Sequence, residues 1–147
     1  MLFASVLLSS YSVARNKAQR ERVAATEVQK LGATLDTWVG WQEVVLGTDY
    51  AQVVRVDLRG VRDIRAAMRH LDALRHIEDL NLSGTSIVDG DLEHLKTLPN
   101  LTSLDLSDTR VTDAALDHLE GLENLRWLTL DKTDITDAGI EKLRRRL

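Results

Sequence analysis

From Val53 to Leu147 the same apolar positions return every 24 residues, and no other property of the chain narrows its possible folds so far. Leu101, Leu104 and Leu106 are matched by Ile77, Leu80 and Leu82 upstream and by Leu125, Leu128 and Leu130 downstream. Val53, Val56 and Leu58 match them more loosely. Four units therefore occupy residues 53–76, 77–100, 101–124 and 125–147. A unit this short cannot bury its apolar face alone, so copies must stack and share one continuous core. Aromatics make up only 4% of the 147 residues, as expected where one small unit is copied and no irregular core is assembled.

Within a unit, the alternation of a strand sends the first, fourth and sixth residues inward and the residues between them outward. Three further apolar columns close each turn: Ile87, Val111 and Ile135; Leu92, Leu116 and Ile140; Leu95, Leu119 and Leu143. The last two columns are three apart, which is helical spacing. The expected class is therefore α/β, a short solenoid of strand–helix units with a parallel sheet on its concave face. Asp89, Asp113 and Asp137 stand at the helix starts, where a carboxylate complements free backbone N–H groups, and Thr112 and Thr136 are placed to cap. The outward columns of the sheet are Arg55, Asp57 and Arg59; Asp79, Asn81 and Ser83; Ser103, Asp105 and Ser107; and Trp127, Thr129 and Asp131.

The LxxLxL spacing followed by a polar residue and a helical stretch resembles the leucine-rich-repeat family. The wording LxLSxTxITDAGLxxLxxL is similar to a bacterial subclass of it, in which short arrays often follow a membrane anchor and an Arg- and Ala-rich helix ending in Leu-Gly. That resemblance takes in Leu31-Gly32, a Trp-containing cap and all four repeats, and it implies a non-catalytic protein-interaction scaffold. Two departures stand out: no basic residues precede the apolar start, and the first repeat has Val61 for threonine with a shifted pattern through Ile64 and Met68, as a capping repeat would. Where the best-known members place asparagine after the strand, this chain has Thr85, Thr109 and Thr133, whose hydroxyls are expected to bridge backbone groups of adjacent turns.

Ahead of the repeats, residues 1–14 are apolar with small hydroxyl residues and are followed at once by Arg15, Lys17, Arg20 and Arg22. The first reading is a membrane anchor, a transmembrane helix completed by preceding chain or made up by bilayer thinning and snorkelling. The stretch is well short of the roughly 20 residues a span needs. A signal peptide cleaved near Ser12-Val13-Ala14 and an apolar helix packed on the domain are the alternatives. An anchor would place the basic flank and the repeats on the cytoplasmic side, whereas a signal peptide would make a secreted module. Residues 15–32 read as a juxtamembrane helix with Gly32 as C-cap, and 33–52, with Trp38, Trp41, Val44, Val45 and Leu46, as the lid over the first open repeat.

The net charge is −4, and the array holds all of the excess: residues 53–147 carry fourteen basic against eighteen acidic side chains. A nucleic-acid surface is disfavoured, because phosphate binding needs a positive field. The absence of cysteine removes disulfides and thiolate ligands. His70, His94 and His118 share one column, but helices packed about 8–10 Å apart keep the outer pair from one ion, so a metal-dependent enzyme is only a remote alternative. No nucleophile, base and orienting group stand together outside the repeat pattern. The reading is thus no enzyme, no cofactor, no metal, and a protein or peptide partner on the concave columns. Trp127 is either a contact residue there or a lid over the last strand.

Overall fold

A computed structural model of the chain describes residues 2–38 and 52–145. The LxxLxL columns do what their period demands. Strands β2 (Gln52–Asp57), β3 (Asp79–Asn81), β4 (Ser103–Asp105) and β5 (Trp127–Thr129) pair in parallel, with Val56, Leu80, Leu104 and Leu128 in register. Their inward residues are fully covered in the middle units, Leu80 and Leu82 at 0% and Leu106 at 0%, while Leu125, Leu128 and Leu130 at the last unit keep partial exposure. A fifth strand among the described residues, β1 (Thr34–Trp38), runs antiparallel to β2 and covers the first edge of the sheet. It forms part of the lid expected of 33–52; Trp41, Val44, Val45 and Leu46 lie outside the described residues.

The returning segments differ along the array, and the spacing of the buried residues explains why. In the first unit Ile64, Ala67, Met68 and Leu71 are buried, an i, i+3, i+4, i+7 stripe, and Ile64–Leu71 is an α-helix, α2, capped by Asp63, which accepts from Ala66 N. In the second unit Leu92, Leu95 and Leu98 are buried at strict three-residue intervals, and Asp89–Thr97 is a 3-10 helix, the geometry in which i and i+3 eclipse. Asp113–His118 repeats this, and Asp137–Arg144 is again α-helical, α3.

Each strand turns into its loop through one left-handed residue, and the slot recurs with the period: Gly60 (φ 73°), Gly84 (φ 66°), Asp108 (φ 56°) and Lys132 (φ 57°). A lysine there carries a backbone cost that glycine does not. Lys132→Gly is expected to raise the unfolding free energy by about 0.5–1 kcal/mol. A urea midpoint that moves up with an unchanged slope would bear this out, and one that moves down would show that the side chain compensates.

Residues 2–30 form one continuous helix, α1 (Leu2–Lys30), which takes in the apolar segment and the basic stretch after it. It packs against α2, and along it Glu21, Ala24 and Val28 are buried, the last fully. Its end is a paired turn in which Ala33 N donates to Val28 O and Gly32 N to Gln29 O, with Gly32 at φ 104° in the C-cap role its sequence position implied. The transmembrane helix expected of residues 1–14 is corrected: among the described residues no helix is long and apolar enough to cross a membrane. The physical reason is the run of charges from Arg15 onward, which ends the apolar stretch within the same helix.

Candidate functional site

Register places the outward residues of the strands in rows across the sheet. One row is Asp36, Arg55, Asp79, Ser103 and Trp127, and the next is Thr34, Asp57, Asn81, Asp105 and Thr129. Arg59, Ser83, Ser107 and Asp131 follow at the strand ends. All twelve residues expected on the concave face are therefore brought to one surface. Asp36 joins them through the antiparallel β1, which the repeat pattern could not reveal.

The two halves of this surface differ in charge. At the first strands the cations are taken up internally: Arg55 Nε lies 3.2 Å from Asp79 Oδ2, and its Nη1 is 3.5 Å from Asp36 Oδ2. Arg59 holds Asp57 at 2.6 Å. The Arg59 side chain, through its hydrogen bonds to the carboxylate, keeps the Asp57 carboxyl below the usual aspartate range, and Asp57 in turn raises Arg59. At the last strands Asp105 and Asp131 have no ion-pair partner among the described residues, and Trp127 on the same face is 71% exposed. Trp127 therefore does not fold over the end of the stack, where Leu128, Leu130 and Ile135 remain partly open.

Several of these polar groups also hold the backbone. Asp57, Asn81 and Asp105 each accept from the backbone N–H two residues on, at 3.0, 2.9 and 2.9 Å, which shapes the turn after each strand. The threonine column behaves differently from expectation. Thr85, Thr109 and Thr133 donate their hydroxyls to the carbonyls of Leu82, Leu106 and Leu130 in their own unit, at 2.6, 2.6 and 2.8 Å, rather than to an adjacent one. A hydroxyl is too short to span the gap that an amide bridges.

The aspartates at the helix starts do the bridging instead. Asp89 accepts from Thr112 N and Thr112 Oγ1, both at 2.7 Å, and Asp113 accepts from Thr136 N and Oγ1 at 2.8 and 2.7 Å. Thr112 and Thr136 then cap their own helices by accepting from Ala114 N and Gly139 N. Each carboxylate thus clamps the cap of the following unit, where the sequence had pointed to its own helix. A Cβ on Gly139 would collide with the Asp113 carboxylate, which accounts for glycine at that position.

The Thr136 backbone N–H, and then its hydroxyl, lower the pKa of Asp113. A depressed acid contributes stability that is complete above its unfolded value and is lost as pH falls through the folded one. Asp113→Asn is accordingly expected to be less stable than the parent at neutral pH, with the gap closing as pH drops below the aspartate range. A gap that persists in acid would mean that the clamp does not depend on charge.

The histidine column forms no common site. His94 Nδ1 lies 3.2 Å from Asp72 Oδ1, whereas His118 Nδ1 is buried with no hydrogen-bond partner. Among the described residues no group of three His, Cys, Asp or Glu side chains is placed to hold a metal ion.

A family model for the leucine-rich repeat matches residues 75–135. The array has the fold of a short leucine-rich-repeat solenoid. Among solved structures, an internalin of Listeria monocytogenes is similar at 26% identity and a TM-score of 0.45, over 53% of this chain and 23% of the internalin chain. The chain thus spans less than a quarter of that protein. No curated protein matches the sequence. Leucine-rich repeats, like other solenoids, offer extended concave surfaces on which proteins commonly bind, and here that surface is the sheet of β2 to β5.

Proposed function

We propose that the leucine-rich repeats act as a non-catalytic protein-interaction scaffold that takes a protein or peptide segment on the concave sheet, chiefly over β4 and β5. The observation that carries this reading is Trp127, a large aromatic 71% exposed on a strand, on the same face of the sheet that carries Asp105 and Asp131. An exposed indole on a face that also carries unpaired carboxylates suits a segment with lysine or arginine and apolar residues, through cation–π contact and charge pairing. The β2 and β3 end adds shape more than charge, because Arg55 and Arg59 are already paired.

The test is site-specific photo-crosslinking in the native cell, with the photoreactive residue at Ser103 on the sheet or at Glu93 on the opposite side. Adducts formed only from Ser103, and lost in the Trp127→Ala, Asp105→Asn, Asp131→Asn variant, support the reading. The same adducts from Glu93 would overturn it.

The tether belongs to the same proposal. Residues 2–14 are apolar, and the basic flank that follows favours the anionic cytoplasmic leaflet, so α1 tethers the repeats to the membrane from the cytoplasmic side. Fractionation before and after deletion of 2–14 tests this. Membrane association lost on deletion supports it, and a protein released outside the cell with a shortened N-terminus overturns it in favour of secretion.

A further inference from the structure

The chain carries a net charge of −4, yet one groove on its convex side is strongly basic. It lies between α1 and the end of α2, in two adjoining parts of about 690 and 360 Å3 that share Arg20, Asp72 and Ala73. Four cations line it, Lys17 and Arg20 from α1 and Arg69 and Arg75 from α2 and the turn after it. All four are exposed, and none has an ion-pair partner among the described residues. Asp72 is the one carboxylate that lines the groove, and it is engaged from behind by Thr97 Oγ1 at 3.2 Å and His94 Nδ1 at 3.2 Å. Folding therefore gathers, from segments about fifty residues apart, a positive cleft with a net charge of about +3 that neither segment holds alone.

We infer that this groove is a binding site for the head groups of anionic phospholipids. The inference rests on the membrane tether proposed above and adds to it a second element, α2. Position selects this ligand over a soluble anion. Val13, 66% exposed, lines the groove at the point where the apolar part of α1 ends. At 1.5 Å per residue, Lys17 lies about 6 Å and Arg20 about 10 Å further along the helix. The polar layer on each side of a bilayer is about 5–8 Å deep, so with the apolar residues in the hydrocarbon the cleft opens at phosphate level.

The experiment is co-sedimentation of the full chain with vesicles of phosphatidylcholine alone and of phosphatidylcholine mixed with phosphatidylserine. Preferred binding to the mixed vesicles, weakened by salt, is expected. Arg69→Ala with Arg75→Ala, both outside α1, should weaken it about twenty-fivefold, since each basic residue near an anionic surface contributes about fivefold. The charge-matched control Arg144→Ala with Arg145→Ala, away from the groove, should change it little. Equal losses in both double variants would reduce the effect to net charge and overturn the site. Equal binding to both vesicle types would overturn the site while leaving the tether standing. Binding to neither would overturn both.

Discussion

Leu104→Ala is expected to lower the unfolding free energy by about 2–5 kcal/mol, the loss typical of a buried leucine whose cavity cannot collapse. Leu104 is 1% exposed and in register with Leu80 on one side and Leu128 on the other. Its removal therefore opens a void between units, and two interfaces lose their packing at once. In a stack held together by nearest-neighbour contacts, a weak middle unit uncouples the units that flank it. Leu128→Ala, at a position that water already reaches, should cost distinctly less. Urea unfolding of the two variants side by side measures the difference, and equal losses would contradict the gradient of burial along the array.

Val28→Asp is expected to cost about 3 kcal/mol or more, because it places an unpaired carboxylate among apolar neighbours. Val28 is fully buried on α1, which packs against α2, and its carbonyl receives Ala33 N at the helix end. The chain escapes the cost most readily by letting α1 leave the array, not by unfolding the sheet. Hydrogen exchange should therefore rise through residues 13–30 while the amides of β3 and β4 stay protected. Unaltered exchange in α1 would mean that this buried position does not hold the helix.

How much of this was open to reading from sequence depends on the range of each interaction. The strand columns were legible because Leu80, Leu104 and Leu128 answer to two periods at once, 2 within a strand and 24 between strands. The 3-10 geometry was present in the three-residue spacing of Leu92, Leu95 and Leu98, though three-residue spacing alone also fits an α-helix. The clamps were not legible. Nothing local distinguishes an aspartate that caps its own helix from one that reaches the next unit, and Asp89 and Asp113 do the second.

The period of the strands places the concave residues in rows, but it does not show which of them pair with one another. Arg55 and Arg59, while remaining exposed, pair with Asp79, Asp36 and Asp57. Asp36 reaches that row only because Thr34–Trp38 lies antiparallel on β2, a pairing with no counterpart in the repeats. The basic groove was half visible, as Lys17 and Arg20, and became a cleft only when α2 supplied Arg69 and Arg75.

The aspartate clamps also bear on how such a chain changes its length over generations. Unit 101–124 carries the threonine half of one joint in Thr112 and the aspartate half of the next in Asp113, and the two halves of a joint never lie in the same unit. An in-frame duplication of residues 101–124 would hand Asp113 a new threonine of the kind it already grips, and the copy would grip Thr136 in turn. Recombination can therefore lengthen or shorten the array by whole units without inventing a contact. The first unit is excluded from this traffic: Arg65 stands where the joint would need its aspartate, and Val88 offers no hydroxyl to receive one.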